Sequence, residues 1–307
     1  MIGIMMAAAL TATPLSAPGP DGPLAGTLLD AGKGAPVVVI LPGSGPTDRD
    51  GNNPLGVTAQ PYRLLAEALA ADGVSSVRID KRGMFGSKVA IPDPNKVTIA
   101  DYAADAHAWA KAVKVATGAK CVWLVGHSEG GLVALKAGQD PTDLCGVITV
   151  SAMGRKFGDV LSEQLKANPA NAPILDSALN AIGELEAGRT VPPAKLPPPL
   201  PMLFPAAVQP YLIDLMAHDS AALAKSLKLP LLIVQGGRDI QVPVGDAKAL
   251  AAAQPKARLV VVPNVNHVLK KVESDDRAAN LMTYTDPSLP VDPGVVIAIA
   301  TFVKAKP

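Results

Sequence analysis

Aromatic side chains are scarce in this chain. Phe, Tyr and Trp together supply 3% of its 307 residues, against an apolar fraction of 49%. The chain is long enough for one large domain or a domain with an insertion. Its core must be packed mainly from Val, Leu, Ile and Ala. A charge excess is also missing. The 28 Lys and Arg against 27 Asp and Glu leave a formal charge of +1, with no basic block. That excludes the electrostatic footprint of nucleic-acid binding and strong attraction to anionic membranes. No run reaches the roughly 18 apolar residues of a transmembrane helix.

Cysteine is nearly absent, and neither Cys121 nor Cys145 has the His or Cys spacing of a metal site. Each opens an apolar strand candidate, Cys121-Val122-Trp123-Leu124-Val125 and Cys145-Gly146-Val147-Ile148-Thr149-Val150. If these strands are parallel neighbours, both thiols lie at one end of the sheet. A disulfide in an oxidising compartment and two buried free thiols are then both open readings. Residues 1–10 are apolar, and Leu15-Ser16-Ala17 fits the vicinity of a cleavage site, yet no Lys or Arg precedes the apolar run. Residues 1–17 read as an export remnant or a soluble extension, which favours a periplasmic or secreted location over a cytoplasmic one.

What is present is an alternation of strands and helices. Strands are expected at residues 23–29, 36–41, 74–79, 229–235 and 258–262. Helical periodicity covers 62–72, 99–116 and 295–304. Such alternation predicts a mostly parallel, doubly wound α/β sheet, with its core in residues 18–153 and 229–307. Residues 154–228 interrupt the pattern with helical pieces and a proline-rich run, Val191 to Pro201. Lying between two strands, this stretch reads as a helical cap. Its Leu200, Met202, Leu203, Phe204, Tyr211, Leu212, Leu215 and Met216 are expected to turn a buried face toward a pocket.

Gly126-His127-Ser128-Glu129-Gly130 is a G-x-S-x-G pattern between a strand candidate and a helix candidate, the context of a nucleophile elbow. Small residues flank the serine because the turn is tight. The following helix places its dipole and free N–H groups beside the Ser128 hydroxyl. Of four histidines, His107 precedes the elbow, His127 lies inside it and points away from the serine, and His218 falls in the cap. His267, in the loop after the 258–262 strand, emerges on the serine's side and in the chain order serine, acid, histidine. It is the candidate base. Asp239, after Leu231-Leu232-Ile233-Val234-Gln235-Gly236-Gly237-Arg238, is the candidate acid that orients the imidazole, with Asp246 as runner-up. The oxyanion hole needs two backbone N–H groups. Glu129 supplies one, and Ser44, in the glycine-bearing loop 41–51, supplies the other.

Four motifs carry a family resemblance: Pro42-Gly43-Ser44-Gly45, Asp80-Lys81-Arg82-Gly83-Met84-Phe85-Gly86-Ser87, the Ser128 elbow, and the Asp239 and His267 loops. Together they resemble the α/β-hydrolases, in particular the serine hydrolases that include carboxylesterases, lipases and related aminopeptidases. Segment 43–51 is similar to a bacterial esterase subgroup. Members often carry His-Gly at the oxyanion loop, whereas Pro42 stands here in place of the histidine. The resemblance implies an α/β-hydrolase fold with a variable cap and gives segment 80–87 a structural role. The activity expected is serine carboxylesterase action on short- to medium-chain esters through an acyl-enzyme. The partner is then a small-molecule ester, and no metal or organic cofactor is needed. The alternatives are an aminopeptidase, with Glu184 or Glu186 holding a free amine, a thioesterase or acyltransferase, and a non-catalytic binding protein.

Overall fold

The computed structural model describes residues 11–305. Eight strands form one sheet in the order β1-β2-β4-β3-β5-β6-β7-β8. They are β1 (Ala12–Ala17), β2 (Leu24–Leu29), β3 (Val37–Leu41), β4 (Ser75–Ile79), β5 (Val122–His127), β6 (Leu144–Val150), β7 (Leu231–Gly236) and β8 (Arg258–Val262). The β1–β2 and β2–β4 pairs are antiparallel, and every other pair is parallel. The helices are α1 (Pro61–Ala71), α2 (Ile99–Thr117), α3 (Glu129–Ala137), α4 (Phe157–Ala167), α5 (Leu175–Glu186), α6 (Leu200–Leu203), α7 (Gln209–Ala217), α8 (Ser220–Ser226), α9 (Val244–Ala253), α10 (Arg277–Met282) and α11 (Pro293–Ala305).

The side-chain pattern explains the layering. β3, β4, β5 and β7 are buried along their whole length, as expected of strands covered by helices on both faces. One face packs Val37, Val39, Val122 and Leu124 against Trp109, Ala106 and Leu135. The other packs Val38, Ile40, Trp123 and Val125 against Leu65, Leu69, Ile299 and Phe302. Alternate residues of one strand thus serve opposite cores. α2 begins with a capping box in which Thr98 and Asp101 satisfy each other's backbone N–H.

Two features differ from the sequence reading. The sheet starts at Ala12 rather than residue 18, because residues 12–17 pair with β2 along their full length. Leu15, Ser16 and Ala17 therefore lie inside an edge strand, the one sheet position that tolerates Pro14. The apolar residues 1–10 lie outside the described residues. In the 154–228 insertion, Leu200, Phe204, Leu212, Leu215 and Met216 are buried as expected, but within the main core. Met202 is 83% exposed, so the apolar set is not one continuous face.

β5 and β6 are parallel neighbours, and Cys121 and Cys145, at their N-terminal ends, are joined in a disulfide with a Cα–Cα separation of 5.2 Å. Of the two readings left open by the sequence, this is the bonded one. The bridge closes a loop with a sequence separation of 24 residues. In the chain-entropy account, such a closure restricts the unfolded state by about 3 kcal/mol. The double substitution Cys121→Ala/Cys145→Ala should lower unfolding free energy by about that amount in urea denaturation. An unchanged denaturation midpoint would contradict this contribution.

Candidate active site

The site lies at the C-terminal ends of β3, β5, β7 and β8, where parallel register brings distant loops together. Leu41 at the end of β3 is opposite Gly126 of β5. The chain must then reverse into α3 within one residue, and Ser128 takes that place with φ 53° and ψ −121°. A positive φ at a non-glycine residue is strained and must be held by its surroundings. Here the Ser128 N–H donates to Val150 O at 2.9 Å and its carbonyl accepts from Gly131 N–H at 2.9 Å. The flanking glycines are obligatory. A Cβ on Gly126 would fall on the Gly130 carbonyl, and one on Gly130 would fall on the Leu41 carbonyl.

His267 arrives in the loop after β8 and Asp239 in the loop after β7. His267 Nδ1 lies 2.8 Å from Asp239 Oδ2. Because a carboxylate can only accept, Nδ1 carries the proton and Nε2 keeps its lone pair. The other carboxylate oxygen accepts the N–H groups of Gln241 at 2.8 Å and Val242 at 2.9 Å. Burial raises the Asp239 pKa, but the charge and hydrogen bond of His267 and these two N–H groups outweigh it. The carboxyl is held below its ordinary value. Asn266 fixes the loop: its amide donates to Thr283 Oγ1 at 2.7 Å and its oxygen accepts from Lys270 N–H at 3.0 Å.

Ser128 and His267 line one cavity of about 120 Å³, shared with Ser44, Thr47, Asn53, Tyr62, Gln241 and Tyr284 among others. Its wall comes from the 43–62 loop and the 265–284 segment, and no residue of the 154–228 insertion lines it. The expected apolar roof is therefore not the wall of this cavity. The insertion reaches it indirectly, through Gln164 of α4, whose amide donates to Gln241 O at 2.6 Å.

The runner-up acid is engaged elsewhere. Asp246 accepts Gly154 N–H at 2.9 Å and a two-point contact from Arg155 at 3.0 and 2.7 Å, anchoring the start of the insertion to α9. Glu184 pairs with Arg189, Glu186 packs beside Gly158, and neither lines the cavity. His107 contacts Ala137 O at 3.0 Å, and His218 lies 3.7 Å from Asp214. Segment 80–87 acts as a clasp. Asp80 accepts from Arg49 N–H at 2.9 Å and Gly86 N–H at 3.0 Å and forms an ion pair with Arg49, tying this segment to the loop after β3.

The role of His127 was missed in the sequence. Its Nε2 lies 2.8 Å from the carbonyl of His267, so Nε2 carries the proton. Nδ1 then accepts from the Tyr62 hydroxyl at 2.8 Å, and that hydroxyl accepts Gly43 N–H at 3.0 Å. One buried chain of hydrogen bonds thus links the loop after β3, the elbow and the His267 loop. Residues 62, 127 and 267 have no sequence periodicity in common, and only the fold brings them together.

The sequence profile of the alpha/beta hydrolase family matches residues 37–270. The chain belongs to the alpha/beta hydrolase family. Its β3–β8 core and every loop described at the site fall within the matched span or just beyond it. The chain is 28% identical to the esterase EstD of Thermotoga maritima over 244 residues, which is 76% of this chain and 54% of EstD. It therefore spans about half the length of that relative. In solved structures it is similar to the Pyrococcus furiosus esterase Pf2001, with TM-score 0.59, 17% identity and coverage of 97% and 93% of the two chains. Est1E from Butyrivibrio proteoclasticus gives TM-score 0.59, 17% identity and coverage of 95% and 99%. At such identities these two structures establish the shared fold.

Burial, and then the nearby His267 charge, bring the His127 pKa down to about 3. The folded state thus keeps His127 neutral where the unfolded chain, with an ordinary pKa near 6.5, takes up a proton. The resulting stability is fully present above about pH 6.5 and is lost as pH falls toward 3. Denaturation from pH 7 to pH 4 should show a shallower loss for His127→Gln than for the wild type. Equal slopes would contradict the buried neutral imidazole.

Proposed function

We propose that this protein is a serine carboxylesterase acting on short-chain esters. The observation that carries the reading is the 2.8 Å contact between His267 Nδ1 and Asp239 Oδ2, on a cavity that His267 shares with the strained Ser128. With Nδ1 protonated, His267 Nε2 is the basic atom available to the serine. Ser128 Oγ attacks the ester carbonyl carbon and passes its proton to His267 Nε2. The carbonyl π pair moves onto oxygen, and the oxyanion is met by the N–H groups of Ser44 and Glu129. Collapse breaks the bond to the alkoxy group, which takes the proton from His267 and departs as the alcohol. Water then attacks the acyl-enzyme with His267 again as base, releasing the acid and restoring Ser128.

Two features support Ser44 and Glu129 as donors. Ser44 lines the cavity, and its N–H has no partner among the described residues. Glu129 opens α3 directly after Ser128, where helical N–H groups lack intrahelical acceptors. The relationship to EstD, an esterase, points the same way. The aminopeptidase alternative loses its support, because Glu184 and Glu186 stand apart from the cavity. The Cys121–Cys145 bridge supports an oxidising compartment, periplasmic or extracellular, as its place of work.

The small cavity, about 120 Å³, supports a short acyl group, acetyl to butyryl. Hydrolysis of p-nitrophenyl esters from acetate to palmitate should peak at the short end. Ser128→Ala should remove about 10⁴-fold or more of kcat. A palmitate optimum would contradict the pocket size. Absence of ester turnover by the folded wild type would overturn the assignment.

A further inference from the structure

Lys81 is a buried cation with an unusual position. It lies inside the 80–87 clasp, is 7% exposed, and reaches the loop that carries Ser44. Its Nζ donates to Gly43 O at 2.7 Å and stands 3.6 Å from Glu129 Oε1 and 5.6 Å from the centre of the Tyr102 ring. Glu129 is 1% exposed, and neither of its carboxylate oxygens has a hydrogen-bond partner among the described residues, which leaves Lys81 as its nearby countercharge. Burial lowers the Lys81 pKa, and Glu129 opposes that shift. A buried pair with such sparse hydrogen bonding is a poor device for stability, because desolvation offsets its attraction. Its value must lie in what Lys81 holds.

What it holds is one peptide plane. In a trans peptide the C=O of residue 43 and the N–H of residue 44 point in opposite directions. Fixing Gly43 O on Lys81 therefore fixes the direction of Ser44 N–H. The neighbouring plane is fixed separately, because Gly43 N–H donates to the Tyr62 hydroxyl at 3.0 Å. Gly43 lies against the serine: a Cβ placed on it would meet Ser128 Cβ at 3.2 Å. Both polar groups of Gly43 are thus spent on buried side chains, leaving the free N–H at Ser44, on the cavity wall.

We propose that Lys81 is a positioning residue for the oxyanion pocket, holding the Gly43–Ser44 peptide so that Ser44 N–H faces the reacting carbonyl, with Glu129 beside it as its countercharge. The proposal rests on the esterase reading. Tyr211 of α7 extends the cluster. Its ring meets Tyr102 edge-on with centroids 6.1 Å apart, and burial and then Glu129 hold its phenol above its ordinary pKa. Through Tyr211 the insertion therefore packs beside this cluster, whereas none of its residues lines the cavity.

Lys81→Met alone leaves a buried carboxylate unpaired and risks misfolding, so the informative comparison is Lys81→Met/Glu129→Gln against Glu129→Gln. Both remove the charge pair, but only the first removes the donor to Gly43 O. With folding checked by thermal melting, kcat on p-nitrophenyl acetate should fall about 10- to 100-fold between the two, with KM within about twofold. The inhibition constant of a short alkylboronic acid, which mimics the tetrahedral intermediate, should rise in proportion. Equal kcat and equal boronate affinity in the two variants, with the wild type active, would overturn the proposal alone. A wild type without Ser128-dependent ester turnover would overturn the esterase reading and this proposal with it.

Discussion

The structure depends on one strained turn. Between β5 and α3 the chain reverses with Ser128 at φ 53°, and this conformation is tolerable only because everything around it is fixed. The end of β3 presses on one side, where Gly130 leaves room for the Leu41 carbonyl. β6 receives the Ser128 N–H at Val150 O. Neither contact survives a change in strand order or register, so the central parallel strands and the elbow define each other. The cost of the turn places a hydroxyl at the sheet's edge and at the start of a helix, where negative charge is favoured.

Around the turn, buried polar groups do the aligning. Gly43 N–H, Tyr62, His127 and the His267 carbonyl form one chain of hydrogen bonds. The Asp239–His267 contact forms a second, and Lys81 at Gly43 O a third. Each joins loops that leave different strands. Groups in a low-dielectric interior are costly unless paired, so every link resists displacement of its partners. This is how a site made of loops acquires the rigidity of the sheet beneath it. The disulfide works at the opposite ends of the same strands, where Cys121 and Cys145 join β5 to β6.

Much of this was legible in the sequence, for identifiable reasons. Buried parallel strands such as Val37–Leu41 and Val122–His127 advertise themselves as apolar runs. Glycines at 126 and 130 mark a turn that only glycine permits. Asp239 and His267 were legible because each follows a strong strand in the order the fold requires. Other parts were not. The edge strand Ala12–Ala17 adjoins an apolar N-terminal stretch, and apolarity alone does not distinguish a strand from a leader. The apolar residues of the 154–228 insertion revealed that they are buried, but not against what, and much of that burial is within the main core. The roles of His127 and Lys81 were not legible, because their partners at 43, 62, 129 and 267 meet only in three dimensions. Asp246 was the runner-up to Asp239 by position, and the structure separates them by contact: Asp239 meets His267, whereas Asp246 is held by Gly154 and Arg155.

The central claim is that Ser128 is the one nucleophile, activated where it stands by His267 and Asp239. The most direct measurement is labelling of the wild-type protein with a fluorophosphonate probe, followed by peptide mapping by mass spectrometry. The account predicts one adduct per chain, on the peptide containing Ser128, and loss of ester turnover in step with labelling. A label on a different serine, or an active protein that resists labelling, would contradict it.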